Sequence, residues 1–339
     1  MMKIRNREIT ENDLFFWVEE GQASHGDTKI AKEFIKTAAN IKVDAIEFQL
    51  AIAEEFYIKS HPMYNYYRDI QYSPEQIIEL IDYTHKNELI FIAAVLAPSL
   101  IPFLTKNGCD AFVINASDIN NPAIIELIID SKLPFFISLP LATNEEIDWI
   151  IKFCYSRGAK NFVLMHGQHT MASGDSGVKI EDTNLGFIET LKQEYSQMVG
   201  FIDHSRNIFM PSIARAAGAN YISKHLFLKK NTVGPDWFVC LDPLDMKVSV
   251  ECARATNISL SRKEKELARG EEMDRKIMRR SVVAACDIAA NTIVDKSMLD
   301  FKRPGSGIPP SEYQKVIGKR ALVDIKEDSL LTSLNVDLS

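Results

Sequence analysis

Eight short, continuously apolar runs recur along the first 225 residues, and no other feature of the chain limits its fold as tightly. They are 14–18 (LFFWV), 44–50 (DAIEFQL), 89–96 (LIFIAAVL), 110–115 (DAFVIN), 134–139 (PFFISL), 161–166 (NFVLMH), 199–203 (VGFID) and 220–225 (NYISKH). Runs without polar alternation suit strands covered on both faces, which are parallel strands. Helical patterns lie between them, at 28–40, 73–87, 121–131, 143–156, 184–197 and 208–217. Ser73, followed by Pro74 and Gln76, reads as an N-cap with proline at the first helical position, and Thr143 with Glu146 spells a capping box. Gly108, Gly158 and Gly218 each stand between a helix and the next strand, where a helix-ending glycine belongs. Eight strands alternating with helices predict a (β/α)8 TIM barrel, whose usual length is about 250 residues. The competing doubly wound sheet lacks its dinucleotide signature, because no G-x-G-x-x-G follows the first run.

The periodicity changes after residue 257. Residues 1–257 are assigned to the barrel, 258–280 to a charged helical linker, and 281–339 to a small β-rich domain punctuated by glycine and proline. A domain of about 60 residues buries little core alone, so it is expected to pack on the barrel or on another subunit.

Charge divides along the same boundary. The chain carries −7 overall, yet residues 258–339 hold 15 lysines and arginines against 13 acids, a local +2. A net acidic chain has no general attraction to nucleic acid or to an anionic membrane, so neither is an expected partner. No stretch approaches the roughly 20 apolar residues of a membrane helix. The polar start lacks a signal-peptide core, so the chain is expected in the cytoplasm. Five scattered cysteines without a C-x-x-C pair support neither a zinc knuckle nor a disulfide framework, and read as small buried hydrophobes.

In such a barrel, chemistry sits at the C-terminal strand ends and in the loops after them. Those positions hold Glu19 and Glu20, Glu47 and Gln49, Asn115 to Asp118, Ser138, His166 and His169, Asp203 and His204, and Lys224 and His225. His204 and His225 end adjacent strands. Two imidazoles with a nearby carboxylate, Glu19 or Asp203, would make a divalent-metal site completed by water or substrate. A strand-end histidine also has structural uses, and the pattern leaves both readings open.

Several stretches resemble the sialic acid synthase family, which includes N-acetylneuraminate synthases and spore-coat polysaccharide relatives. GFIDHS (200–205) is similar to that family's strand-7 Asp-His motif, and ISKHLF (222–227) to its strand-8 Lys-His motif. GPD (234–236) recurs at the matching spacing. KRPGSGIPPSEY (302–313) with IGKRALVDIKED (317–328) resembles the family's antifreeze-like (SAF) domain. The resemblance implies a TIM barrel followed by that domain, in a domain-swapped homodimer. It implies a reaction joining phosphoenolpyruvate to an N-acetylated amino sugar. A Mn²⁺ or Mg²⁺ ion on His204 and His225 would polarise the sugar aldehyde. Glu19 would position or deprotonate water or acceptor, and Arg303 of the R-P-G motif would contact the sugar. Gln49, Asp118, Ser138, Asp203 and Lys224 complete the expected substrate contacts.

The resemblance breaks on the phosphate side. The family's strand-2 lysine is Glu47 here and its strand-4 lysine is Val113, while its strand-6 Tyr-Pro is Met171-Ala172. Losing two cations and gaining a carboxylate removes the charge a phosphorylated ligand needs; one reversal at about 4 Å is worth several kcal/mol at an effective dielectric near 20. Lys59, Arg68, Arg206 and Lys224 are the other cations nearby, none at an equivalent position. Glu47 and His169 form a candidate acid–base pair; the alternative is that Glu47 pairs with a local cation. The expected function is a divergent nonulosonic acid synthase in surface-glycan biosynthesis. The alternatives are a metal-dependent aldolase, lyase or epimerase that uses no phosphoenolpyruvate, and a non-catalytic sugar-binding or regulatory member.

Overall fold

A computed structural model describes residues 1–170, 177–228 and 235–338. Two compact units divide the chain, Met1–Ser261 and Arg262–Ser339.

The first unit opens with a hairpin, β1 (Met2–Ile4) and β2 (Arg7–Ile9), in antiparallel register with Met2 opposite Ile9. Eight parallel strands then close into a barrel: β3 (Phe15–Glu19), β4 (Ala45–Leu50), β5 (Ile90–Val95), β6 (Ala111–Ile114), β7 (Phe135–Ser138), β8 (Phe162–Gly167), β9 (Val199–Asp203) and β10 (Tyr221–His225), with β10 pairing β3. Every apolar run became a strand, with bounds agreeing to about one residue.

The helices around the barrel are α1 (Thr28–Ile41), α2 (Ala53–Phe56), α3 (Tyr64–Ile70), α4 (Pro74–Lys86), α5 (Leu100–Lys106), α6 (Pro122–Asp130), α7 (Asn144–Ser156), α8 (Phe187–Tyr195), α9 (Met210–Ala216) and α10 (Pro243–Ser259). The capping boxes at Ser73 and Thr143 are both formed, each with its reciprocal Gln76 or Glu146 contact. Four helices went unread in the sequence. α2, α3 and α5 are at most seven residues long, too short to show a period, and α10 runs straight into the charged stretch.

Strand alternation sorts the side chains. On β3, Phe15 and Trp17 face the barrel interior, while Phe16 and Val18 join the outer core under the helices. The interior cluster also takes Met2, Ile4 and Ile9, so the N-terminal hairpin plugs the end where the strands begin. The opposite end stays open for polar groups.

The second unit contains α11 (Glu271–Met278), β11 (Ser281–Ala284) and β12 (Leu299–Lys302), the two strands antiparallel with Ser281 opposite Lys302. Its core is built on Val282, Ile288, Val294, Val316, Ile325 and Leu331. Isolated bridges such as Ile288 to Ile325 and Ala321 to Val336 replace long strands, as short punctuated runs require. Of the stretch 258–280, only 271–278 and the last two residues of α10 are helical. Among the described residues no helix is long and apolar enough to cross a membrane. Cys109, Cys154 and Cys240 are buried as expected, whereas Cys252 is half-buried and Cys286 exposed; all five are free thiols.

Candidate active site at the barrel mouth

Alternation that puts Trp17 inside puts Glu19 inside as well, at the last position of β3. The same parity brings Glu47 and Gln49 inward from β4, His225 from β10, and His204 just beyond β9. These residues line one cavity of about 630 Å³ with Ser138, His169, Gln22 and Asp236. Phe56, Tyr57, Met63 and Tyr67, from the segment after β4, form an apolar wall on one side. A cavity of this size and mixed lining suits a sugar-sized ligand.

The polar groups form a connected set. The Gln49 amide donates to Glu19 and accepts from the Gln22 amide at 3.1 Å. Glu19 Oε2 lies 3.3 Å from His225 Nε2. The His225 and His204 rings are 5.2 Å apart, and the His204 and His169 rings 5.0 Å. Glycine at position 21 is required here: a Cβ would lie 2.9 Å from His225 Nδ1, and the backbone has φ +59°.

Burial governs the protonation of this set. It raises the Glu19 carboxyl to about 7, against the Gln49 hydrogen bond that favours the anion. Glu47 is pushed well above the carboxylate range by burial and then by the Glu19 charge, opposed by the Trp17 indole. Asp236 rises to about 6 through burial, with His225 pulling the other way. Burial holds His204 well below its ordinary value, with His225 and His169 adding repulsion, and lowers His225 and His169 too. Burial thus weakens an ion pair between Glu19 and His225, pushing the carboxyl toward its protonated form and the imidazole toward its neutral one.

Several expected site residues stand elsewhere. Asp203 and Lys224 were expected on the substrate, but strand parity turns both to the outer face of β9 and β10. There the Lys224 ammonium, 0% exposed, donates to Asp203 at 2.6 Å and to the Ser205 carbonyl at 2.7 Å, while Asp203 also accepts from the Ser205 N–H. Asp118 accepts from Ser117 and Asn121 at 2.8 Å each, bracing its own turn outside the cavity lining. His166 also faces outward, bonding Thr183 and packing on Phe187. Among the described residues Glu47 meets no cation: its partner is the Trp17 indole N–H, at 2.6 Å. His169 shares the cavity with Glu47, but its ring packs edge-on against His204. Arg303 lies exposed in the second unit. Met171 and Ala172 lie outside the described residues.

Asp236 and Gln22 are polar site residues that sequence reasoning passed over, although the GPD motif carries Asp236; Gly234 of that motif lies outside the described residues. The aromatic wall had no legible signal, because α2 and α3 are too short.

Among the described residues the Nδ1 atoms of His204 and His225 are buried without a hydrogen-bond partner, and the residues are only 8% and 1% exposed. Two unpartnered imidazole nitrogens fit a divalent ion that takes the rest of its ligands from water and substrate oxygen. No group of three or more His, Cys, Asp or Glu is arranged to hold a metal among the described residues, so a closed protein cage does not fit. No lysine or arginine is present among the described lining residues, against three carboxylates and three histidines.

Comparison with known proteins places this geometry. The NeuB family model matches residues 34–265, and the SAF domain model matches residues 279–336. Protein MJ1065 of Methanocaldococcus jannaschii is 30% identical over 97% of each chain. The N,N'-diacetyllegionaminic acid synthase of Legionella pneumophila is 28% identical over 94% of this chain and 93% of its own. Among solved structures, the N-acetylneuraminic acid synthetase of Leptospira borgpetersenii, crystallised with citrate, is 26% identical. It superposes with a TM-score of 0.74 over 80% of this chain and 94% of that one.

Proposed function

The chain belongs to the NeuB family and ends in a SAF domain, and on that premise we propose that it is a nonulosonic acid synthase. In this reading it joins phosphoenolpyruvate to an N-acetylated amino sugar, forming one C–C bond, consuming one water and releasing phosphate. The observation that carries it is the pair of unpartnered, buried nitrogens of His204 and His225, set beside Glu19 in a sugar-sized cavity. Those two imidazoles would hold a Mn²⁺ or Mg²⁺ ion, which, when bound, polarises the sugar carbonyl.

The chain's own residues do the rest. Glu19, raised to about 7, is poised to give or take a proton near neutral pH, and Gln49 fixes its orientation. Asp236, raised to about 6, is a second proton acceptor at the same mouth. Gln22 and Ser138 offer neutral hydrogen bonds to sugar hydroxyls, and Phe56, Tyr57 and Tyr67 exclude water from one side. Arg303 supplies the charged contact to the sugar from a second copy, in a homodimer.

A second reading rests on one specific observation. A cavity whose described lining holds three carboxylates and no lysine or arginine favours a sugar aldolase or lyase that uses no phosphorylated partner. The deciding experiment is phosphate release from phosphoenolpyruvate with N-acetylmannosamine and Mn²⁺, alongside calorimetry with phosphoenolpyruvate alone. Phosphate release dependent on both substrates and lost in His204→Ala supports the synthase. No heat at millimolar phosphoenolpyruvate, with Mn²⁺ still bound, overturns it in favour of the second reading. Absence of both metal and phosphoenolpyruvate binding points to the non-catalytic member.

A further inference from the structure

The second unit carries a groove of about 780 Å³ lined by Arg275, Lys276, Arg279 and Arg280, with Glu272 as the one acid in its lining. No carboxylate pairs with any of the four within 4 Å among the described residues, and Arg280 spends one N–H on the Phe301 carbonyl at 3.3 Å. All four are exposed. Concentrating four like charges in one groove is electrostatically unfavourable unless an anion enters it.

The groove is built rather than incidental. One wall is α11 and the residues just after it; the other is the loop from Gly305 to Ser311. The Gly305 N–H donates to the Lys276 carbonyl at 2.8 Å. The Ser281 hydroxyl donates to the Pro304 carbonyl at 2.6 Å and accepts from the Gly307 N–H at 2.9 Å. Only glycine permits this approach at 305, because a Cβ would stand 2.5 Å from the Arg275 carbonyl oxygen and 2.7 Å from Arg279 Cβ. Pro309 and Pro310 stiffen the outer rim. The two walls are therefore tied together through their backbones, and they bring four cationic side chains to one groove, where guanidinium groups can take a phosphate through paired N–H bonds.

We propose that this groove is a binding site for a phosphate-bearing small molecule, separate from the barrel mouth. Such a site would place the anion-binding charge of this chain in its small unit, whose local charge is positive, instead of in the barrel cavity. The site rests on the groove's own residues and not on the proposed synthase function, and a phosphoenolpyruvate held there would not be the molecule that reacts at the barrel mouth.

The test is calorimetry on the full chain at low salt, with inorganic phosphate as the first probe and phosphoenolpyruvate as the second. Binding of phosphate that weakens as salt rises, and falls by about tenfold or more in the double variant Arg275→Glu/Arg279→Glu, is the expected result. The milder Arg279→Gln should weaken it less but measurably, with an unchanged far-UV circular dichroism spectrum. The double variant Lys296→Glu/Lys315→Glu, an equal charge change elsewhere in the unit, should leave phosphate affinity as it was. Three results would overturn the proposal: no phosphate heat at tens of millimolar, unchanged affinity in the double variant, or loss of phosphate binding in His204→Ala. Tighter binding to a short DNA duplex than to phosphate, abolished by the same double variant, would also overturn the small-molecule class. Phosphate binding needs neither sugar nor turnover, so it can succeed where the synthase assay fails, and the reverse.

Discussion

The Trp17 indole N–H donates to a Glu47 carboxylate oxygen at 2.6 Å, across adjacent strands and inside the barrel. This contact occupies the floor of the cavity and holds a carboxylate against Glu19, its register neighbour on β3. Burial and that neighbouring charge raise Glu47 well above its usual range.

The sign of the pH dependence follows. A carboxyl raised in the folded state contributes stability that is fully present below its unfolded value of about 4.5 and is lost as pH rises toward the folded value. Metal-free Glu47→Gln should therefore lose less stability in urea unfolding than the parent chain does as pH rises above about 4.5. Parallel curves for the two chains would show that Glu47 does not titrate in that window.

The buried Lys224–Asp203 pair makes a prediction about stability, not substrate. Lys224→Ala leaves Asp203 buried and uncompensated, and should cost about 3–5 kcal/mol in chemical denaturation. The double change Lys224→Met/Asp203→Leu should recover much of that loss. A Lys224→Ala chain of undiminished stability with weakened sugar binding would contradict the outward placement.

His225→Ala and His204→Ala should each abolish Mn²⁺ binding measured by electron paramagnetic resonance, while circular dichroism shows the barrel intact. Unchanged Mn²⁺ affinity in either variant would remove that histidine from the ligand set.

Arg303→Ala should weaken N-acetylated amino sugar binding by about tenfold, the scale of one lost charge-assisted hydrogen bond, and leave Mn²⁺ affinity unaltered. Sugar affinity equal to the parent's would exclude this arginine from the site.

Ser73→Ala removes one half of the capping box on α4 and should lower stability by about 1 kcal/mol with no effect on metal or ligand binding. A null effect in thermal unfolding would mean that packing of Ile77 and Leu80 alone sets the helix start.

The barrel was legible because its signal is local. Each strand announces itself in four to eight consecutive residues, and each long helix in its apolar spacing and cap. The Gly108, Gly158 and Gly218 punctuation was legible too: all three have positive φ in the structure. Short helices such as α2, α3 and α5 give too few turns for a period to register. α2, α3 and the residues beside them carry the aromatic wall, which remained unread for that reason.

The candidate site was legible to the level of which residues reach the strand ends, and no further. Proximity to a strand end does not say which face a side chain takes. Asp203 and His204 are neighbours in the chain, as are Lys224 and His225, yet alternation sends each histidine to the cavity and each companion to the outer wall. Sequence by itself determined the strand and helix content, the family motifs, and that positions 47 and 113 hold a carboxylate and an apolar side chain. Tertiary structure alone decided that Glu47 meets Trp17 instead of a cation, that Asp203 and Lys224 neutralise one another, and that Asp236 joins the mouth. Those outcomes depend on inter-strand register and barrel closure, which bring together residues 20 or more positions apart, and no local pattern carries that information.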